Sequence, residues 1–158
     1  MKSPRNPPLR LLSPIHKASR QIGLYLEGTS AELDVLVPEG HLLTYLASYA
    51  PASVGELGRV FGLKGSTLTS MLDRLEERRL ILRRDNPEDR RSFLVDVTAS
   101  GERIAAALRK RIEALEGDVL RRVSQRDLAG FRAVLDALGA VTEAAADDPV
   151  RTAAGKQD

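Results

Sequence analysis

The segment from Lys64 to Gly101 carries apolar residues whose spacing changes along the chain. Its first part has four of them at i, i+3, i+4 and i+7, namely Leu68, Met71, Leu72 and Leu75. This spacing places the four side chains on one face of an α-helix. In the second part, a short apolar run at 80–82 precedes apolar residues at alternate positions from Phe93 to Val97. The pattern predicts an amphipathic helix followed by a two-stranded hairpin.

The polar positions of this helix carry small hydroxyl groups and one guanidinium. They are Ser66, Thr67, Thr69, Ser70 and Arg74. Hydroxyl and guanidinium groups bond phosphate oxygens or base edges, and a bidentate arginine contact can read guanine. The first turn of a helix also offers unpaired N–H groups to an anion. The helix is therefore a candidate recognition helix for DNA.

The loop of the predicted hairpin is basic. Its sequence, RRDNPEDRR at 83–91, combines turn-forming residues with four arginines. The candidate DNA contacts in this loop are Arg84, Asp89, Arg90 and Arg91. We expect the Asp89 carboxylate to orient the Arg90 guanidinium for a narrow minor groove. A helix followed by a basic-tipped hairpin predicts a winged helix-turn-helix, which is a mainly helical α+β fold.

Three helices are predicted before this segment. The first starts at about Ser13 as its cap and ends near residue 28, the second covers 38–49, and the third covers 54–61. Ser53 with Glu56 three residues later forms a capping box at the start of the third helix. Gly62 then permits the turn into the recognition helix. Leu57, Val60 and Phe61 are expected to be buried.

Two long helices are predicted after the hairpin. Thr98 or Ser100 caps the first, and Ser124 starts the second, which ends at about residue 146. Gly117 lies within the first and costs it about 1 kcal/mol relative to alanine. Their apolar stripes exceed what a small winged core needs, so the helices either fold back or pack against a second copy.

Composition limits the remaining possibilities. The chain has 158 residues, a formal net charge of +2, and no cysteine, which excludes disulfides and thiol-based redox sensing. No apolar run approaches the length of a membrane span, and the N-terminus lacks a signal-peptide core, so a cytoplasmic location and no membrane partner are expected. Residues 1–12 and 147–158 are expected to be a disordered arm and tail.

Residues for catalysis or metal binding are scarce. The chain has two histidines and lacks nucleophile-elbow and phosphate-loop motifs, which argues against an enzyme and against a cofactor. His16 and His41 with Glu32 and Glu39 could form at most an incomplete metal site.

A set of short motifs, in order, carries a family resemblance. These are Leu75-Glu76, Leu80-Ile81, the Asn86-Pro87-Glu88-Asp89-Arg90-Arg91 run, and Val97-Thr98-Ala99-Ser100-Gly101. In this order the chain resembles the multiple-antibiotic-resistance regulator (MarR) family of bacterial transcription factors. Arg79 stands where the family usually has glycine, and Val97 where it usually has leucine.

The resemblance implies a homodimeric repressor bound to a pseudopalindromic double-stranded operator. The winged helix-turn-helix would cover about 38–98 within a single domain at 13–146, and helices at 13–28 and 99–146 would form the dimer. The implied dimer residues are Ile22, Ile112, Leu115, Leu128, Phe131, Leu135 and Leu138. Two alternatives remain: a winged helix that contacts protein without binding DNA, and a DNA-binding regulator without an effector.

The resemblance also implies a small aromatic or phenolic anion as effector. His41, Tyr45 and Tyr49 are spaced at i, i+4 and i+8 and share a helix face. Together with Arg20 they could line an effector pocket beside the dimer helices. The alternative is that the two tyrosines pack on the core and His41 lies on a helix surface.

Overall fold

The computed structural model of the chain describes residues 9–89 and 91–146, with side chains as far as residue 142. Arg90, residues 1–8 and the tail at 147–158 therefore lie outside the described residues. The elements are α1 Leu12–Glu32, α2 Val37–Tyr49, β1 Ala52–Ser53, α3 Val54–Phe61, α4 Gly65–Glu77, β2 Ile81–Asp85, β3 Phe93–Val97, α5 Ala99–Leu120 and α6 Gln125–Ala146. The described part is mainly helical with a small antiparallel sheet, which confirms the predicted fold class.

The helix-turn-helix formed by α3 and α4 follows the local signals in the sequence. The Ser53 hydroxyl accepts a hydrogen bond from the Glu56 N–H at 3.1 Å, which is one of the two bonds of the predicted capping box. The Glu56 carboxylate instead accepts from the Tyr45 hydroxyl.

Gly62 adopts a left-handed conformation with φ of 60°, which glycine adopts without steric cost. Leu57 is fully buried, but Val60 is 52% exposed. The predicted burial of Val60 is wrong, because α3 contacts the core through Leu57 and Phe61, which are four residues apart on one face of the helix.

The sheet has three antiparallel strands in the order β1-β3-β2. Ile81 pairs with Val97, and Arg83 pairs with Val95, so β2 and β3 form the predicted hairpin. Two residues of β1 add a third strand on the far side of β3. Such a short strand leaves no periodic pattern, and the sequence did not predict it.

The core of the winged part joins α2, α4, the sheet and α5. Its members that are less than 2% exposed include Leu42, Leu43, Leu46, Leu57, Leu68, Leu72, Leu75, Ile81 and Val95. The apolar stripe of α4 is therefore buried as its spacing predicts. Gly101 in the first turn of α5 lies against Leu80, where an added Cβ would overlap the carbonyl oxygen. The close approach fixes the start of α5 against the base of the hairpin.

The first helix differs from its prediction at both ends. Its N-cap is Leu11, without a side-chain cap, so Ser13 is not the cap. It also continues through Gly28 to Glu32. One glycine costs a helix only about 1 kcal/mol, and burial of Leu26 and Ser30 on either side of Gly28 favours continuation. The helix ends before Asp34, whose φ is 55°.

The last two helices begin at side-chain caps. Thr98 Oγ1 accepts from the Gly101 N–H at 3.1 Å, so Thr98 and not Ser100 caps α5. Ser124 Oγ accepts from the Asp127 N–H at 3.2 Å, and the Asp127 carboxylate accepts from the Ser124 N–H at 2.9 Å. Hydrogen bonds from Ser124 lower the pKa of Asp127. The chain divides into two compact units, Met1–Ala114 and Leu115–Asp158.

Candidate nucleic-acid interface

The N-terminal half of α4 presents its hydroxyl groups to solvent. Ser66, Thr67, Thr69 and Ser70 are all exposed, while the buried stripe fixes the opposite face. The Ser70 hydroxyl donates to the Ser66 carbonyl oxygen at 3.0 Å, which leaves its oxygen as an acceptor. No side chain caps the start of α4 at Lys64, so the first-turn N–H groups remain open to an anion. This end of the helix has the polarity and exposure of a DNA-reading surface.

The C-terminal half of α4 is tied to α2 through Arg74. Its Nε donates to Glu39 Oε1 at 2.8 Å, and Glu39 Oε2 accepts from the Leu36 N–H at 2.9 Å. The Glu39 side chain is 4% exposed, whereas that of Arg74 is 48% exposed. Part of the guanidinium therefore remains open to solvent, while its Nε holds the helix in place. No local sequence pattern identifies Glu39 as the partner of Arg74, because the two residues are 35 positions apart.

A second arginine ties the hairpin to α4. Arg83 Nη2 lies 2.7 Å from Asp73 Oδ1, and Arg83 Nη1 lies 3.3 Å from Glu76 Oε2. The backbone N–H of Arg83 also donates to Glu76 Oε1 at 3.2 Å. Arg83 therefore fixes the recognition helix and the wing relative to each other.

The wing loop is ordered by its own polar side chains. Asn86 Nδ2 donates to Ser92 Oγ at 2.9 Å, and Asn86 Oδ1 accepts from the Glu88 N–H at 3.0 Å. Asp89 Oδ1 accepts from the Arg91 N–H at 3.0 Å. Asp89 thus holds the loop backbone, and its predicted role toward Arg90 lies outside the described residues.

Two of the predicted wing arginines are exposed. Arg84 pairs with Asp96 on the neighbouring strand at 3.2 Å. Arg91 lies at the exposed end of the loop. Both can therefore reach a nucleic acid without unfolding the hairpin.

The residues predicted to bind an effector are only partly brought together. The rings of Tyr45 and Tyr49 lie 4.7 Å apart, and the edge of Tyr45 meets Phe61 at 5.6 Å. The Tyr45 hydroxyl donates to Glu56 Oε1 at 3.3 Å. Burial and the Glu56 charge raise the pKa of Tyr45 above 10.0, so this hydroxyl is protonated at pH 7.

The predicted effector residues differ in exposure and offer little charge to an anion. Tyr45 packs against the core, and Tyr49 is 64% exposed. Arg20 and His41 are both exposed. Desolvation by neighbouring protein atoms lowers the pKa of His41 below 6.5. Desolvation therefore disfavours the charged form of His41, which makes this side chain a poor charge partner for an anion.

A groove lies elsewhere, between the C-terminal half of α1, the α1–α2 turn and the end of α4. It has a volume of about 800 Å³ and includes Arg74 and Arg78 of α4 in its lining. None of the four predicted effector residues lines it. No sequence pattern indicates this groove, because its walls come from two segments that are far apart in the chain, 27–39 and 74–78.

The predicted dimer residues are incompletely buried within one chain. Ile22, Phe131 and Leu135 are 45%, 55% and 40% exposed. Ile112, Leu115, Leu128 and Leu138 are half-buried. No residue of α6 up to Thr142 is fully buried, so this helix has apolar side chains available to a partner.

In the described part of the chain, the helices are all too short or too polar to cross a membrane. Within the same residues, no group of three or more histidine, aspartate or glutamate side chains is arranged to hold a metal ion.

Known proteins resemble both the sequence and the fold. The family model described as MarR family matches residues 37–93, which cover α2 to the start of β3. The organic hydroperoxide resistance transcriptional regulator of Bacillus subtilis (strain 168) is 28% identical over 123 residues, which cover 77% of this chain and 81% of the relative. The uncharacterised regulator YsmB from the same organism is 28% identical over 129 residues, covering 78% and 88%. These relatives are transcriptional regulators and not enzymes.

Solved structures match along most of the chain. The MepR–DNA complex of S. aureus has a TM-score of 0.76 at 18% identity and covers 85% of this chain and 99% of that one. A mutant of MarR from E. coli complexed with operator DNA has a TM-score of 0.71 at 24% identity, covering 82% and 94%. These matches establish the winged fold. Residues 37–93 are similar to the MarR family, and the relatives that match by sequence are transcriptional regulators.

Proposed function

We propose that the protein is a homodimeric repressor that binds a pseudopalindromic operator in double-stranded DNA. The observation that carries this proposal is the arrangement of α4. Its hydroxyl face is exposed while its apolar stripe, Arg74 and Arg83 fix it to the rest of the winged part. A reading helix must be held rigidly for its side chains to distinguish base edges. The solved structures of MepR with DNA and MarR with operator DNA support the same use of this fold.

We assign the proposed DNA contacts of α4 and the wing either to base edges or to the phosphate backbone of the DNA. Thr67, Ser70 and the exposed part of Arg74 are placed toward base edges, and Ser66 and Thr69 toward phosphates. Arg84, Asp89, Arg90 and Arg91 are assigned to the wing contacts. Exposed arginines at a hairpin tip can reach flanking backbone or a minor groove.

A dimer would supply the second half of the operator contact. Two-fold symmetry places two recognition helices about 34 Å apart, in successive major grooves. The exposed apolar surface of α1 and α6 supports pairing with a second copy. We assign Ile22, Ile112, Leu115, Leu128, Phe131, Leu135 and Leu138 to this interface.

Fluorescence anisotropy with a DNA fragment from upstream of the gene tests the proposal at several salt concentrations. We expect tight, sequence-selective binding that weakens steeply with salt, because phosphate contacts release counterions. Replacing Arg91 by alanine should cost about 1–3 kcal/mol of binding with little change in melting temperature. The same substitution at Arg90 tests the wing tip. A protein-contact module would show no salt-dependent DNA binding.

A test of Arg74 needs two variants, because replacing Arg74 alone leaves the buried Glu39 carboxylate without its ion-pair partner. We therefore compare Arg74→Ala in the Glu39→Gln background with Glu39→Gln alone. If Arg74 reads guanine, the double variant loses sequence preference as well as affinity. A uniform loss over all sequences would assign Arg74 to a phosphate or to helix positioning.

We also propose that a small molecule releases the repressor from DNA. Tyr45 and Tyr49 offer an exposed aromatic face for an aromatic ligand. For an aromatic anion we assign Arg20 as the charge partner, because desolvation disfavours the charged form of His41 and the Glu56 carboxylate lies beside Tyr45. Titration of salicylate with the parent and Tyr49→Ala, followed by melting temperature and operator affinity, tests this site. Binding without weaker operator affinity would rule out release by this ligand.

A further inference from the structure

The groove between α1, the α1–α2 turn and α4 has an excess of negative charge. Its charged lining consists of Glu27, Asp34 and Glu39 against Arg74 and Arg78. Both guanidiniums are already engaged, Arg74 with Glu39 at 2.8 Å and Arg78 with Asp34 at 3.1 Å. Among the described residues, Glu27 has no ion-pair partner. The charge left over in the groove is therefore a carboxylate.

A buried hydroxyl without a partner lies on the same wall. Ser30 is 3% exposed, lines the groove, and its Oγ makes no hydrogen bond to the described residues. A buried polar atom without a partner costs free energy that an occupant can recover. Glu27 and Ser30 are spaced at i and i+3 on α1, and Asp34 follows the end of that helix. All three line the groove, so they form its polar wall.

The rest of the groove is apolar. Ala31 and the run Val35, Leu36, Val37 and Pro38 contribute its aliphatic surface. A volume of about 800 Å³ is in the range of small-molecule sites. An apolar surface with one polar wall suits a ligand that has a hydrophobic body and a single charged end.

We propose that this groove binds a small amphipathic cation whose ammonium group lies between Glu27, Ser30 and Asp34. The N–H groups donate to the two carboxylates and to Ser30 Oγ, the acceptor without a partner on the same wall. The hydrophobic body lies against the apolar residues of the α1–α2 turn. This site differs from the tyrosine face in both position and ligand charge.

Occupancy of the groove would act on the recognition helix directly. Arg78 belongs to the turn that ends α4 and is held by Asp34. An ammonium group at Asp34 competes with Arg78 and releases that end of α4 from the α1–α2 turn. Operator binding then weakens to the extent that the cation binds the released state more tightly. This consequence rests on the proposed operator binding, whereas ligand binding itself does not.

The test uses a matched pair of probes on the full chain. Isothermal titration and thermal shift are measured with 4-phenylbutylammonium and with 4-phenylbutyrate, which share their hydrophobic body and differ in charge. We expect saturable binding of the ammonium and none of the carboxylate. Glu27→Gln should weaken ammonium binding about fivefold, the effect of one exposed ion pair. Glu32→Gln is the control, since Glu32 is exposed on the same helix and does not line the groove.

Further variants locate the site and its effect. Ser30→Ala should also weaken ammonium binding without lowering the melting temperature, since it removes an unsatisfied group. Equal affinity of Glu27→Gln and the parent, preference for the carboxylate, or loss only in Tyr49→Ala would each overturn the proposal. Operator affinity is measured first without ligand, so that failure of DNA binding is separate from failure of this site. By linkage, saturating ammonium must weaken operator binding by the same factor by which operator weakens ammonium binding.

Discussion

Glu39 shows how a single buried charge can fix a functional helix. Its carboxylate is almost completely buried and has two partners, the Arg74 guanidinium and the Leu36 N–H. Removing one partner from a buried charge costs more than the pair contributes, because the remaining charge stays desolvated. Arg74→Ala alone should therefore lower stability by about 1–3 kcal/mol, in addition to any effect on DNA.

The pKa of His41 predicts a pH dependence of stability. Desolvation lowers the pKa of His41 in the folded chain below the value of 6.5, so the unfolded chain binds more protons at slightly acidic pH. The free energy of unfolding should therefore fall as pH falls below about 6.5. Urea unfolding at pH 7.5 and 5.5 tests this with the parent and His41→Gln. The parent should lose more stability than the variant, and equal losses would contradict the assigned cause.

At the residue scale, the sequence predicts contacts between near neighbours and misses those between distant ones. The caps at Ser53 and Thr98 were predictable because each hydroxyl meets an N–H three residues away. The bond between Arg74 and Glu39 joins residues 35 positions apart, so only the folded chain determines it. The same holds for Arg83. The sequence places it in a basic loop, whereas in the folded chain it forms ion pairs with Asp73 and Glu76 of α4.

At the element scale, two glycines in α5 have opposite effects on stability. An added Cβ at Gly101 would overlap the Leu80 carbonyl, whereas at Gly117 the nearest atom is Arg121 Nη1 at 3.5 Å. Gly101→Ala should therefore destabilise the protein by about 1–3 kcal/mol through overpacking. Gly117→Ala should stabilise it by about 0.5–1 kcal/mol through helix propensity. Urea unfolding of both variants is the measurement, and destabilisation by Gly117→Ala would indicate that this site is covered.

Helices and the hairpin were predictable because their apolar periods are long and consistent. The stripe of α4 and the alternation in β3 identify both elements without tertiary information. The extension of α1 past Gly28 was not predictable, since packing offsets a propensity cost of about 1 kcal/mol. Arg79, which stands where the resembled family usually has glycine, adopts a left-handed conformation with φ of 56°. Its carbonyl oxygen accepts from Thr98 Oγ1 at 2.7 Å, which helps to hold this unusual conformation.

For the whole molecule, the distribution of apolar surface supports the proposed second copy. The winged part buries its leucines within the chain, whereas α6 leaves Phe131, Val134 and Leu135 at least 37% exposed. Exposed rows of this kind on one helix mark an interface. Obligate dimers typically bury more than about 2,000 Å², which helices of 21 and 22 residues such as α1 and α6 are long enough to provide.

The substitution Leu135→Asp tests the dimer because it places a charge within this apolar row. A charge buried without a partner costs several times the energy of an exposed one, so the variant should dissociate and lose operator affinity. Ala133→Asp adds the same charge two positions away, about 200° around the helix, and is the control that should stay dimeric. Sedimentation equilibrium distinguishes the 17.2 kDa chain from its dimer. A parent protein that sediments as a folded monomer and still binds the operator would contradict the dimeric architecture.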